Sequence, residues 1–147
     1  MITLRHFTRE DAGPVHAALY PDMPESDIAD LIAEWNAGVF QGRYFGMFAV
    51  VSGGRIVGYA SLYERSPNTA SAGVEICRGE RGKGFASEAM AAMLAHAAEK
   101  GYRVLLDQVS ADNRASIRLH EKLGFETDGY VYRNRKDNEV VLYLKIL

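Results

Sequence analysis

Two stretches of this chain carry residue types and spacings that could do chemistry. In the first, Ile76-Cys77-Arg78-Gly79-Glu80-Arg81-Gly82-Lys83-Gly84-Phe85-Ala86-Ser87-Glu88, a strand-like run gives way through glycines and basic residues to an alanine- and methionine-rich run. A helix opening directly after such a turn offers N–H groups that have no intrahelical acceptor, and Gly82 and Gly84 keep side-chain bulk away from them. Arg81 and Lys83 add positive charge. This combination suits the pyrophosphate of a nucleotide-bearing cofactor. A solvated strand-to-helix turn has the same composition, so that plainer reading stays open. The G-x-x-x-x-G-K-[ST] spacing and the G-x-G-x-x-G fingerprint are both absent.

The second stretch runs from Asn113 to Phe125. On a helix, Asn113, Ser116 and His120 share one face, which sets an amide, a hydroxyl and an imidazole in a row beside the end of the preceding strand. Each has a bland alternative: Asn113 as a helix cap, Ser116 as a small packing residue, His120 as a surface or satisfied core histidine.

The elements that must hold these stretches follow from periodicity and breakers. Ile2 to Phe7 alternates apolar and polar residues, as a half-buried strand does. Thr8, with an acid three residues later, is close to a capping box for a helix carrying Val15, Ala18 and Leu19 on its apolar side. Pro21 and Pro24 end that helix. Ser26 or Asp27 caps a second one, with Ile28, Leu31, Ile32 and Trp35 on one face. Tyr44 to Val51 and Arg55 to Tyr63 form a hairpin about Ser52-Gly53-Gly54, and a third strand ends near Ile76. A helix from about Phe85 to Lys100 buries Ala89, Met90, Met93, Leu94 and Ala97 and stops at Gly101. Val104-Leu105-Leu106 is a buried strand, Asn113 caps the last helix, and Phe125 to Arg133 and Val140 to Ile146 are the final strands. The order β α α β β β α β α β β is α/β: a mixed sheet of about seven strands, helices on both faces, with a βαβ crossover starting at the glycine turn.

At 147 residues the chain is expected to be a single domain spanning 1–147, with 48% hydrophobic and 24% charged residues. Its formal charge of −2 gives no reason to expect nucleic acid or an anionic membrane as partner. No apolar run approaches the ~18 residues of a membrane span, and no signal-peptide pattern opens the chain, so a cytoplasmic protein is expected. A lone cysteine, Cys77, rules out an internal disulfide and a cysteine-clustered metal site, and no metal is expected.

Taken together, the two stretches resemble the GNAT superfamily of acyl-CoA-dependent N-acyltransferases, in element order as well as in motifs. The [Q/R]-x-x-G-x-[G/A] cofactor motif is matched by Arg81, Gly84 and Ala86. The N-x-x-[S/A]-x-x-x-Y-x-K-x-G-F motif is matched by Asn113, Ser116, Lys122, Gly124 and Phe125, with His120 in the tyrosine position. The Leu-His-Glu form is similar to that of phosphinothricin-type amino-acid acetyltransferases. The resemblance implies an N-acetyltransferase using acetyl-CoA as co-substrate, with direct attack of a primary amine on the thioester. The acceptor would be a small molecule such as an amino acid or analogue. A protein N-terminus or lysine, and a non-catalytic acyl-CoA-binding regulatory module, are the alternatives.

The same resemblance implies roles residue by residue. Backbone N–H groups of Gly82, Lys83, Gly84, Phe85, Ala86 and Ser87 would receive the pyrophosphate, with Arg81 beside them. Val74, Glu75 and Ile76 would pair with the pantetheine amides as an added strand does, and the Ile76 N–H would polarise the thioester carbonyl. Asn113 and Ser116 would flank the pantetheine arm, and Lys122 would reach a phosphate. The cofactor strand and the one after it would splay apart. His120 would protonate the departing thiolate: an imidazolium (ordinary pKa about 6.5) can supply a thiol (about 8.5), but is only partly charged at neutral pH. Glu75 is the first choice of general base, against an outward-facing strand residue; on the next strand Gln108 holds the place where some relatives carry a glutamate. Nothing activates Cys77 as a nucleophile. The loop Tyr20 to Glu25 and the hairpin Tyr130 to Asn138 would line the acceptor side, where Asp22 and Glu25 either attract an amine or are solvated. A homodimer through exposed sheet edges fits the family, though the sequence does not show it.

Overall fold

Strand β1 (Thr3–His6) lies antiparallel along β3 (Arg43–Ser52), with Leu4 opposite Val50. The computed structural model describes residues 1–147. From β3 the chain reverses through Gly53 and Gly54, both at positive φ (58° and 76°), into β4 (Arg55–Ser66). Two successive left-handed residues make the tight turn whose twist matches the strands. Pro67-Asn68 then leads into β5 (Thr69–Ile76), and β5, β4 and β3 pair as a meander.

A short 3₁₀ turn and the glycine turn separate β5 from α3 (Phe85–Glu99), which returns the chain to β6 (Val104–Ser110). Helix α4 (Arg114–Lys122) and the hairpin β7 (Val131–Arg133) and β8 (Glu139–Ile146) complete the chain. The sheet order is β1-β3-β4-β5-β6-β8-β7, and a two-residue strand β2 (Val39–Phe40) folds back on the start of β3. Only β5 and β6 pair in parallel.

Both faces of the sheet are covered, which explains why β3 reads as a nearly unbroken apolar run. Met47 and Ala49 face α1 (Ala12–Ala18) and α2 (Glu25–Asn36), packing with Phe7, Val15, Ile28, Ile32 and Trp35. Phe48 and Val50 face the other way, into a cluster with Leu62, Leu105 and the α3 residues Ala89, Met93 and Ala97. One residue of register slip would exchange these two sets, so the burial itself fixes the register. At the chain start, Asp11 accepts both guanidinium nitrogens of Arg5 (2.7 and 3.0 Å) and the Thr8 N–H (2.7 Å), tying β1 to the turn that opens α1. No helix is long and apolar enough to cross a membrane.

Several expectations are corrected. The strand expected over Phe125 to Arg133 is confined to Val131–Arg133, preceded by a single bridge between Glu126 and Leu144. Between them Thr127 Oγ1 accepts from Gly129 N and Asp128 Oδ1 from Tyr130 N, so local side chains outcompete the ladder. Helix α2 starts at Glu25 after Pro24, whose carbonyl takes the first helical bonds from Asp27 and Ile28; neither Ser26 nor Asp27 caps it. Ala18 is exposed because α1 ends there. Strand β2 was not foreseen: two residues are too few for a period.

Candidate functional site

The parallel pairing of β5 with β6 lasts for only two residue pairs, Thr69 with Val104 and Ala70 with Leu105. Beyond them β6 stays with β8, from Val104 opposite Ile146 to Ser110 opposite Val140, while β5 stays with β4. The strands therefore part towards their C-terminal ends, and a V-shaped gap opens in the middle of the sheet. The Ala72 N–H points to the β6 side, where it bonds Asp107 Oδ1 at 2.9 Å. With a period of two, the N–H groups of Val74 and Ile76 point the same way, into the part of the gap where β6 pairs with neither. Gly58 lies opposite Ile76, and a Cβ there would run into the Glu75 carbonyl, so glycine is needed for β4 to lie against the end of β5.

The glycine turn stands at the open end of this gap. Gly82 (φ 81°) and Gly84 (φ 84°) are both left-handed, and Gly84 is the residue before the first turn of α3. A Cβ at either would meet nothing within 4 Å, so the sign of φ requires glycine there, not crowding within the protein. No N–H from Gly82 to Ser87 donates to an acceptor within the chain; the first helical bond is Glu88 N to Gly84 O. Six consecutive amides at a 15-residue helix's N-terminus are thus available to an anion.

Across the gap, Asn113 caps α4: its Oδ1 accepts from Ser116 N at 3.1 Å. The capping reading and a ligand role are compatible, since the amide NH₂ of Asn113 is not used by the cap. A cleft of about 500 Å³ joins the two motifs, bounded by Val74, Glu75 and Ile76, by Arg81, Gly82, Gly84, Phe85, Ala86 and Ser87, and by Asn113 and Ser116. Two of the expected residues lie outside its lining. Lys83 Nζ is paired with Glu80 Oε2 at 3.1 Å, and Lys122 Nζ donates to Ser87 Oγ at 3.3 Å, bridging α4 to the first turn of α3. Glu80 also accepts two bonds from Arg55, and Arg55 with Lys83 draws its carboxyl down to about 2.

Glu75 borders two spaces. It lines the large cleft and a second one of about 290 Å³ on the α1 side, together with Tyr20, Tyr59, Cys77, Arg78 and Arg81. Its side chain is 49% exposed, and Oε1 accepts from Arg81 Nη2 at 3.0 Å. Burial, with Tyr20 and Glu75 nearby, pushes the Tyr59 hydroxyl up to about 12. Burial also raises Cys77, which keeps its thiol protonated. Tyr20 comes from the loop expected on the acceptor side, whereas Asp22 and Glu25 are exposed and do not line this cleft.

His120 is 4% exposed at the closed end of the gap. Its Nε2 lies 2.8 Å from Asp107 Oδ2, and Nδ1 lies 2.8 Å from the Ser116 carbonyl. Both of these neighbours are acceptors, which favours hydrogen on both nitrogens; the Ser116 hydroxyl also lies 3.4 Å from Nδ1. Burial alone would lower its pKa; the bond to Asp107, the Ser116 carbonyl and the charge of Asp107 outweigh it and raise it. Phe125 packs edge-on against the ring at 4.6 Å. Asp107 is the residue that sequence reasoning missed. Leu105, Asp107 and Val109 are the buried set of β6, and an acid on that face of an apolar run was the available signal. Gln108 points the other way, where its Oε1 accepts from Asn134 of the β7–β8 turn at 3.1 Å.

The model of the acetyltransferase (GNAT) domain matches residues 1–126. The chain belongs to the GNAT acetyltransferase family. Among its GNAT relatives is the L-methionine sulfoximine/L-methionine sulfone acetyltransferase of Pseudomonas paraeruginosa (strain DSM 24068 / PA7), 32% identical over 108 residues, or 70% of this chain and 62% of that protein. Another is the SPbeta prophage-derived uncharacterized N-acetyltransferase YokL of Bacillus subtilis (strain 168), 34% identical over 104 residues, covering 69% and 59%. The chain thus spans about three fifths of the length of these relatives. The GNAT fold also recurs in the ribosomal L7/L12 alpha-N-protein acetyltransferase RimL in complex with coenzyme A, at a TM-score of 0.85 and 17% identity over 99% of this chain and 94% of that one. Microcin C7 self-immunity acetyltransferase MccE, in complex with acetyl-CoA and AMP, gives 0.83 at 16% identity over 99% and 92%.

Proposed function

We propose that this chain is an acetyl-CoA-dependent N-acetyltransferase that transfers an acetyl group directly to the primary amine of a small molecule, such as an amino acid or an analogue of one. The observation that carries the reading is the run of six unpartnered amides from Gly82 to Ser87 facing, across a gap in the sheet, the amide of Asn113. Family membership and the names of the curated relatives support it.

When bound, acetyl-CoA would supply an activated acetyl thioester. The chain's own residues do the rest. The amides of Gly82 to Ser87 bind pyrophosphate, with Arg81 at their side and Lys122 at the rim. The N–H of Val74 and the amide of Asn113 orient the pantetheine arm, which leaves the Ile76 N–H to hold the negative charge that develops on the carbonyl oxygen. Glu75 Oε1 receives the proton the amine gives up as the carbon–nitrogen bond forms. His120 would give the sulfur a proton as the carbon–sulfur bond breaks, which requires release of one of its two N–H bonds, to Asp107 Oδ2 or to the Ser116 carbonyl, and the protons lost and gained then balance. The small second cleft suits a compact acceptor, and Arg78 and Arg81 beside it suit one that carries a carboxylate.

Calorimetric titration with coenzyme A tests the assignment of the amide run. Gly84→Leu forces a branched residue into left-handed backbone and is expected to weaken binding by more than about tenfold, near 1.4 kcal/mol. Equal affinity in the variant and the wild type would remove the glycine turn from cofactor binding.

A further inference from the structure

The gap between β5 and β6 is closed at its apex by side chains. Where the parallel ladder stops, Ser71 Oγ donates to the Leu106 carbonyl, and Ala72 N donates to Asp107 Oδ1. A carboxylate has taken the place of the next backbone acceptor. Its other oxygen receives His120 Nε2, and the far side of the same ring is held by the Ser116 carbonyl. Both side chains are 5% exposed. The hollow of about 410 Å³ that reaches them shares Val74, Ser116 and Leu119 with the large cleft, so the pair lies at the inner end of the same space.

We propose that Asp107 is the positioning residue of the transfer site, acting through His120: its carboxylate, itself anchored by the Ala72 N–H, takes the Nε2 side of the ring and fixes it at the apex of the strand gap. This rests on the N-acetyltransferase reading, in which the departing sulfur needs a proton. A tyrosine at position 120 would carry its proton throughout the neutral range, whereas an unassisted imidazole, with an ordinary pKa of about 6.5, is mostly neutral at pH 7. Asp107 supplies what that exchange removes. The other charged and titratable neighbours do not do so. Arg65 of β4 lines the same hollow but donates to Ser71, Tyr143 of β8 packs against the ring at 5.5 Å, and Glu121 on α4 makes no bond to it. Asp107 is the carboxylate within hydrogen-bonding distance of the imidazole.

The test follows the His120 ring nitrogens by NMR against pH in the full chain, without cofactor or acceptor. In the wild type the ring is expected to titrate above its ordinary value. In Asp107→Asn the midpoint is expected to fall by at least about one pH unit, which is a tenfold change in proton affinity. The pH profile of kcat should move down by the same amount, and Asp107→Glu should restore part of both. A wild-type His120 that titrates at or below its ordinary value overturns the proposal without any variant, so poor folding of Asp107→Asn leaves it testable. An unmoved midpoint and kcat profile in Asp107→Asn would reduce Asp107 to a structural residue. A lowered midpoint in a protein that acetylates no amine would instead remove the enzymatic reading, and with it the chemical role of Asp107.

Discussion

Arg81 reaches back from the glycine turn to Glu75, Nη2 to Oε1 at 3.0 Å, while its Nε donates to the Ile76 carbonyl at 3.1 Å. The proposed pyrophosphate cation and the proposed general base are therefore tied to each other, across the wall that the two clefts share. On the proposed reading an anion in the amide run would compete with Glu75 for Arg81, and cofactor binding would be linked to release of the carboxylate.

Glu75→Gln should separate these two roles. Both side chains are about half exposed, so the pair is worth at most about 1 kcal/mol. Coenzyme A should consequently bind up to about fivefold more tightly to the variant. Over the same comparison kcat should fall by roughly a hundredfold or more, as for loss of a general base. Calorimetry beside steady-state kinetics reads both. Weaker binding together with unchanged kcat would contradict both the tie and the base.

His120→Phe leaves the Asp107 carboxylate buried without its partner and should cost roughly 3–5 kcal/mol in denaturant unfolding. Pairing it with Asp107→Val removes the stranded charge and should recover most of that loss, less about 1 kcal/mol for the Ala72 N–H left without an acceptor. A double variant no more stable than His120→Phe alone would show that the two residues are not energetically coupled.

Stability should depend on pH at both ends. Arg5 holds the Asp11 carboxyl below the usual range, so its contribution is complete above the unfolded value of about 3.9 and is lost as pH falls through the lower folded one. Asp11→Asn should flatten that acid limb, at a cost of about 1 kcal/mol at neutral pH because Arg5 is open to solvent. His120 has the opposite sign. Its raised pKa gives a contribution that is complete below about 6.5 and lost as pH rises through the folded value. Thermal unfolding across pH checks both limbs; a stability that rises from pH 6.5 to 8 would run against the His120 geometry.

Cys77 should react slowly. Its thiol is buried and its pKa raised, so iodoacetamide at neutral pH should label the folded chain at least about tenfold more slowly than the unfolded chain. Equal rates would point to an exposed or activated thiol.

Much of this arrangement was legible because local chemistry and fold agree. Asn113 is a cap by type and spacing, the two glycines of the turn announce left-handed backbone, and the alternation in β3 is visible once both faces are known to be covered. Asp107 was not legible in the same way. Alternation sets Asp107 on the face of Leu105 and Val109, but only the parting of β5 and β6 makes a buried carboxylate useful there. The Arg81–Glu75 tie depends on a turn folding back on its own strand, which spacing does not reveal. The strand over Phe125 to Arg133 was overread because Thr127 and Asp128 satisfy their neighbours' amides locally.

Release of free thiol from acetyl-CoA, followed against a panel of amino acids, amino-acid analogues, polyamines and peptides, tests the central claim most directly. Turnover is expected with a small amine of the amino-acid type, together with formation of its N-acetyl product. Coenzyme A binding without thiol release across the whole panel would contradict the enzyme reading and favour a binding module. Release with peptides alone would move the acceptor to a protein amine.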